Sequence, residues 1–419
     1  MSDPSDEPDP RLASARWLAT DDATTALDEA SAALALHPRD PLAATEALRR
    51  RLPALDAARA SAALEQADLT RLARERYGIA SPGRLLLSRD GLEQATRPDV
   101  AARRARVLHG AGVTRVLDIT GGLGFDCAAL LSAGLDVTVV ERDPATAVLL
   151  EHNCPGATVL HLDVTGAGVL DSLLERLSPD DVVYADPARR DPLGPRDTTS
   201  ARSRPERDPE RWSPPWSFVE SIPHPRVTAK VAPSFSPPTG WQAEWTSVDR
   251  GVVECAVHSW SLNPATRRAV VMAGASPTVV DADDAALPIA EHLRSWLHEP
   301  DPAIVSAGAT SALRALDSEL EAVDHESSWL TSARPSATPA FRSFLLIERL
   351  TGSTRAQGRR LAALGVDRLT VKSRDVSVDP RRTLRELGVA EGPERVIIMT
   401  RRAGRAVSLL AEPAAARSA

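Results

Sequence analysis

Apolar positions along the chain follow three different rhythms. From about Leu12 to Tyr77 they recur at helical spacing in an Ala-, Leu- and Arg-rich stretch, as at Leu64, Ala67 and Leu72, which predicts an N-terminal helical region over 11–97. Its last part, 85–97, reads as a short strand and a loop. Pro98 then opens a helix reaching about His109, since proline suits a first helical turn. From Arg115 to about Val271 short apolar runs alternate with helical stretches, which predicts an α/β fold with a mostly parallel sheet over 98–272. The strands fall at Arg115–Asp118, Asp136–Glu141, Thr158–Leu162, Asp181–Ala185 and Arg226–Val231. Two more, Gln242–Val248 and Val252–Trp260, are joined by Asp249, Arg250 and Gly251, a hairpin signal.

Residues 286–330 read as helical, with Trp296 and Trp329 as core anchors, and Thr331–Pro339 as the linker that ends a helical connector over 273–339. The last 80 residues form a separate α+β unit, 340–413. Strands are predicted at Phe341–Glu348, Arg368–Ser373 and Arg395–Thr400, helices at Ser353–Leu364 and Pro380–Leu387, and a closing hairpin at Ala406–Leu410. One stretch breaks the sheet region: 187–216 is rich in Pro, Arg, Asp and Ser. It is either a disordered insertion or a substrate loop beside the site.

Composition narrows the class. A chain of 419 residues holds two or three domains with at least one full core. Its 50 basic residues include only two lysines, Lys230 and Lys372, a skew that with abundant Ala and Pro reflects base composition more than function. The charge is uneven all the same: 351–419 carry 14 Arg and Lys against 7 Asp and Glu, so +7 within a chain of −7. That surplus marks either a phosphate-rich partner or ordinary solvated charge. Three cysteines without a CxxC pair argue against a disulfide framework or a zinc site. The nine histidines form no HxxH or HExxH pair, so metal catalysis finds no support. Residues 1–10 read as a disordered acidic tail unlike a secretory signal, and no apolar run approaches the ~20 residues of a membrane span. A soluble cytoplasmic protein with no membrane partner is expected.

The chemistry concentrates at 116–126, VLDITGGLGFD. An apolar strand ends in Asp118, glycines 121, 122 and 124 make a turn, and a helix begins at Asp126. Such glycines let the backbone approach a ligand closely. Glu141 ends the next strand, 23 positions after Asp118, where α/β nucleotide folds place the carboxylate that holds ribose hydroxyls. The turn lacks the G-x-G-x-x-G spacing of a dinucleotide site, and its flanking acids would repel a pyrophosphate. They suit a ligand with an ammonium and no phosphate, so S-adenosylmethionine is expected over NAD. Asp163, after the third strand, is placed to meet the adenine amino group, with Val164 packing beside it.

A fourth apolar strand delivers Asp186 and Pro187 to the carboxyl edge of the sheet, in the crevice where α/β folds bind ligands. In amino-directed methyltransferases an Asp/Asn-Pro-Pro-aromatic element occupies this place and orients the target nitrogen. Here Ala188 and Arg189 replace its last two residues. Arg189 or Arg190 could stack on a base or grip a phosphate, or simply pair with Asp191 or Asp197. Cys255, mid-strand, and Cys127, at a helix start, read as packing residues rather than nucleophiles.

The segments EQAT (93–96), LDITGGLGFD, VERDP, YADPARRD and LTVKSRDVSVDP resemble class I S-adenosylmethionine-dependent methyltransferases, and more narrowly bacterial methyltransferase-like proteins with a C-terminal THUMP-like domain. The turn and the VERDP element are also similar to small-subunit ribosomal RNA guanine-N2 methyltransferases. The resemblance implies a Rossmann-like seven-stranded sheet ending in an antiparallel hairpin. It implies cofactor contacts from Asp118, Gly121, Gly122, Asp126, Glu141 and Asp163, and Gln94 reaching in from the segment before the fold; Thr120, Gly124, Arg142 and Val164 beside them are further candidates for the cofactor site. Asp186, Pro187 and Arg189 would meet the target. The expected function is methylation of a nitrogen in an RNA base, with structured RNA held by the basic C-terminal domain. A small-molecule or protein acceptor, or a non-catalytic RNA-binding protein that retains the cofactor site, are the alternatives.

Overall fold

The computed structural model describes residues 9–78, 85–189, 206–274, 276–336 and 338–414. Two compact units emerge, one running to Val231 and including His258–Leu262, the other holding Ala232–Val257 and everything from Asn263. No helix among the described residues is long and apolar enough to cross a membrane.

The first unit opens with four helices: α1 (Pro10–Leu18), α2 (Ala23–Leu36), α3 (Pro41–Arg51) and α4 (Ala57–Tyr77). Asp9, Asp40 and Asp56 cap the first, third and fourth by accepting from Arg11, Ala43 and Arg59 backbone N–H groups. Their buried faces are largely alanine, as at Ala23, Ala30, Ala33, Ala44 and Ala63, around Leu48 and Leu69. The same core takes in Leu123, the partly buried Phe125, and Leu149, so this bundle packs on the glycine turn itself.

The stretch read as strand and loop at 85–97 is instead a helix, α5 (Arg89–Gln94), capped by Ser88, whose hydroxyl accepts from Gly91 N–H. A mid-helix glycine argues against a helix on propensity alone. Packing overrides it, because a Cβ at Gly91 would come within 2.6 Å of the Leu123 side chain.

There follow α6 (Pro98–Gly110), β1 (Arg115–Asp118), α7 (Phe125–Ser132), β2 (Asp136–Glu141), α8 (Pro144–Asn153), β3 (Thr158–His161), α9 (Val169–Leu174), β4 (Val182–Ala185), α10 (Trp216–Glu220) and β5 (Val227–Val231). The five strands are ordered β3-β2-β1-β4-β5. All four pairings are parallel, as the alternating pattern predicts. The chain moves outward from β1 to β3 and returns to β4 on the other side of β1. The β1–β4 crevice is therefore the topological switch point, where such sheets bind ligands beyond the strands' carboxyl ends.

The second unit begins with β6 (Gln242–Val248) and β7 (Gly251–His258). Asp249 and Arg250 join them with φ of +50° and +63°, the left-handed pair that a two-residue hairpin turn requires. Two strands beyond the expected seven follow, β8 (Arg267–Met272), parallel to β6, and β9 (Thr278–Asp281), antiparallel to β8.

Residues 286–330, read as helical, contain β10 (Trp296–Pro300), the short α11 (Pro302–Ala307) and β11 (Glu321–Ala322). The supposed linker holds β12 (Leu330–Ser332), with Thr331 and Ser332 fully buried. The reason is long-range satisfaction of polar groups. His298, fully buried in β10, is held by Ser343 at 2.9 Å and Ser332 at 2.8 Å, partners 45 and 34 residues away. Burial keeps its imidazole well below the usual range, at about 4. Trp329 is a core anchor as expected, whereas Trp296 is only half-buried.

The chain ends with β13 (Phe341–Leu350), α12 (Thr354–Ala363), β14 (Arg368–Ser373), α13 (Pro380–Leu387), β15 (Ala390–Arg402) and β16 (Arg405–Pro413). These strands and the upstream three form one sheet, β11-β12-β10-β13-β16-β15-β14.

Candidate active site

Asp118, 2% exposed, closes β1, and its Oδ1 accepts the Thr120 backbone N–H at 2.9 Å and the Thr120 hydroxyl at 3.2 Å. Oδ2 takes no hydrogen bond from a described residue. Burial pushes the carboxyl up to about 7, helped by the charges of Asp126 and Asp186. Thr120 also spans the switch-point crevice, since its hydroxyl oxygen accepts the Asp186 N–H at 2.6 Å. One side chain thus ties the end of β1 to the end of β4.

The three glycines do different work. A Cβ at Gly121 would meet Leu150 and Val139 at 2.6 Å, so its absence lets the turn sit down on the core. Gly124, φ +84°, starts α7, and its Cβ would strike Cys154 Sγ at 2.6 Å. Gly122, φ +52°, has open space where a Cβ would go, its nearest neighbour being Thr120 O at 4.0 Å. Only this glycine leaves room for a ligand. Its N–H donates to Glu141 Oε2 at 2.8 Å, while Oε1 accepts Asp143 N–H at 2.8 Å. Both bonds use only part of the carboxylate's accepting capacity, so hydroxyls can still be held there. Burial raises the Glu141 carboxyl above its ordinary range in spite of these bonds.

Other expected residues are less central. Asp126 is buried in the first turn of α7 with both oxygens engaged: Oδ2 accepts from Thr96 at 2.6 Å, and Oδ1 pairs with Arg104. Asp163 is exposed and held low by the Thr165 hydroxyl and N–H, at 2.6 and 2.9 Å, while Val164 beside it is buried. Arg142 is half-buried, its carbonyl 3.0 Å from His161 Nε2. Gln94 ends α5 with its amide 3.4 Å from the Asp90 carbonyl.

At the target side, Pro187 is buried, and Ala188 exchanges hydrogen bonds of 2.8 and 3.0 Å with Ser213. The Arg189 carbonyl accepts Glu206 N–H at 2.8 Å. The stretch 206–216 of the polar segment therefore folds back onto the end of β4; Arg190, Asp191 and Asp197 lie outside the described residues. Asp186 pairs with Lys230 of β5, Nζ 2.5 Å from Oδ2, and Lys230 also donates to the Thr96 hydroxyl at 2.8 Å. Enclosure raises the Asp186 carboxyl and Lys230 opposes that rise.

Sequence reasoning missed Thr96, Arg104, Tyr184 and Lys230 as a network. Arg104 joins Asp126 to the Tyr184 hydroxyl, 2.9 Å away. Lys230 carried a usable signal: a lysine inside an apolar strand of a chain that otherwise uses arginine. Arg104 carried none, being one of many helix arginines. All three cysteines are buried, and burial pushes the Cys255 thiol up. Among the described residues no cluster of His, Cys, Asp or Glu could hold a metal ion.

The donor set fits S-adenosylmethionine. Asp118, Asp126, Glu141 and Asp186 outnumber the cations Arg104 and Lys230; Asp118 Oδ2, without a hydrogen bond from a described residue, suits an ammonium, and Gly122 leaves space beside Glu141.

Comparison with known proteins agrees on the fold. A family model described as THUMP domain-like matches residues 341–413. An inferred methyltransferase from Porphyromonas gingivalis W83 is 22% identical, with a TM-score of 0.65 over 85% of this chain and 90% of that one. The METTL16 methyltransferase domain is 15% identical, TM-score 0.29, over 48% of this chain and 80% of that one. The methyltransferase NGO1261 from Neisseria gonorrhoeae, described as SAM-dependent, is 17% identical, TM-score 0.24, over 37% and 68%. The last two scores are too low to bear on this chain. No curated protein matches it. The chain thus has the Rossmann-like methyltransferase fold with N-terminal helices, and it ends in a THUMP-like domain.

Proposed function

We propose that the protein is an S-adenosylmethionine-dependent methyltransferase acting on a nitrogen of a base in structured RNA, ribosomal or transfer. The observation that carries this reading is Asp186, delivered by β4 to the switch-point crevice and clipped through Thr120 to Asp118. When bound, the cofactor supplies a methyl group activated by a positive sulfur. Asp118 Oδ2 holds the ammonium, Glu141 the ribose hydroxyls, and Asp163 with Val164 the adenine. Asp186 and the Pro187 carbonyl accept N–H bonds from the target, aiming its lone pair. Positioning supplies most of the rate, with no covalent intermediate on the chain. Arg189 stacks on the base or grips a phosphate.

An RNA acceptor is supported by the THUMP-like domain, since THUMP domains are associated with structured RNA, and by its arginines. Arg355 and Arg359 on α12, and Arg381 and Arg385 on α13, are exposed and make no ion pair with a described residue. Nucleoside mass spectrometry of a deletion strain against its parent tests the reading. One methylated nucleoside should disappear, return with the wild-type gene, and stay absent with Asp186→Ala. An unchanged nucleoside set would refute the RNA acceptor and turn attention to small molecules or proteins.

A further inference from the structure

Lys230 is the least expected side chain at this site. It lies in β5 between the buried Ala229 and Val231, 8% exposed itself, in a chain with one other lysine. A buried ammonium must find a carboxylate or lose its charge. Lys230 Nζ comes to 2.5 Å from Asp186 Oδ2 and also donates to the hydroxyl of Thr96, which is itself fixed on Asp126. Asp186 Oδ1 takes no hydrogen bond from a described residue, and 26% of the side chain is accessible. Among the described residues the carboxylate is divided, one oxygen held and one without a hydrogen bond.

The surrounding charges make a cation necessary. Asp126 on α7 and Asp118 on β1 both disfavour ionisation of Asp186, as does enclosure; Arg104 on α6 favours it but is bound to Asp126. A protonated Asp186 would present a donor where an incoming N–H needs an acceptor. Arginine would serve less well than lysine, because its planar fork can engage both oxygens.

We propose that Lys230 is a positioning residue for methyl transfer: by pairing with Asp186 at Oδ2, it keeps the carboxylate charged and leaves Oδ1 for the N–H of the acceptor. This rests on the reading of Asp186 as the acceptor-binding group. In the transfer the acceptor nitrogen's lone pair forms the N–C bond. The methyl–sulfur bond breaks with its electrons staying on sulfur, and the surplus N–H proton passes to Oδ1 and then to solvent.

Infrared difference spectra between wild type and Asp186→Asn, taken across pH, follow the protonated Asp186 carbonyl band and need no acceptor. The same difference is taken in a Lys230→Met background. The Asp186 midpoint should rise by about one pH unit or more, a tenfold shift in population. Lys230→Arg should keep the midpoint near wild type yet transfer poorly. Transfer of labelled methyl groups to total RNA of a deletion strain is measured alongside. Lys230→Met should lose about tenfold at neutral pH, with its acid limb displaced by the same amount. Unchanged S-adenosylmethionine affinity shows that the variants are folded. An unmoved midpoint, or a wild-type rate profile in Lys230→Met, overturns the proposal. If wild type transfers nothing to RNA while the midpoint moves, the pairing of Lys230 with Asp186 stands and the RNA reading falls.

Discussion

At the scale of single residues, the role proposed for Asp118 carries a pH requirement. Its carboxyl ionises at about 7 in the folded protein against an ordinary 3.8. An ammonium is bound by the ionised form. S-adenosylmethionine affinity should therefore fall about tenfold per pH unit below that midpoint and level off above it, as calorimetric titration would read. For stability the sign is opposite. The contribution of Asp118 is fully present below 3.8 and lost as pH rises through about 7, because the folded state binds the extra proton. Asp118→Asn should thus melt above wild type in alkaline buffer, with the gap closing toward acid pH, while binding the cofactor more weakly. A result in which affinity ignores pH would separate Asp118 from the ammonium. Asp118, Glu141 and Asp186 were all legible as acids ending apolar strands. The network behind them was not: Lys230 meets Asp186, and Thr96 and Arg104 meet Asp126, only through the fold, and a cation among apolar neighbours at 230 was the sole local hint.

At the scale of elements, the glycine turn depends on close contact with α8. Gly124→Ala combines a left-handed φ with a clash against Cys154, so unfolding should lose about 2–5 kcal/mol in urea titrations. A loss under ~0.5 kcal/mol would mean that the turn yields easily. On the C-terminal helices, Arg359→Glu with Arg381→Glu should weaken RNA binding and flatten its dependence on salt, each lost phosphate contact removing close to one unit of slope. An unaltered slope would place RNA elsewhere. Elements bounded by turn residues, such as β1, β2, β6, β14 and α13, could be read from sequence with their ends intact. Strand β10 could not. Its His298, Glu299 and Asp301 neighbourhood looks too polar for a buried strand, and becomes intelligible only with Ser332, Ser343 and Lys372 in place, the last 2.8 Å from Glu299.

At the scale of the molecule, sequence alternation was enough to foresee an α/β fold followed by an α+β unit, because both are built from local rhythm. The extent of the second unit was not foreseen, because three of its strands come from a region whose pattern gives no such signal. That arrangement has a practical result. The match to the THUMP-like family begins at residue 341, yet β13 lies between β10 and β16, and Leu297, Val323 and Trp329 share a core with Phe344 and Leu409. A fragment cut at 341 would expose the long β13 edge and leave that core open, a recipe for self-association. One begun at about 286 keeps the sheet whole. Light scattering should find the short fragment aggregated and the longer one dispersed; a soluble, folded short fragment would contradict this. The C-terminal module is therefore not a portable cassette. Grafting it, deleting it or tracing its ancestry requires carrying some fifty residues of upstream chain that sequence similarity alone does not assign to it.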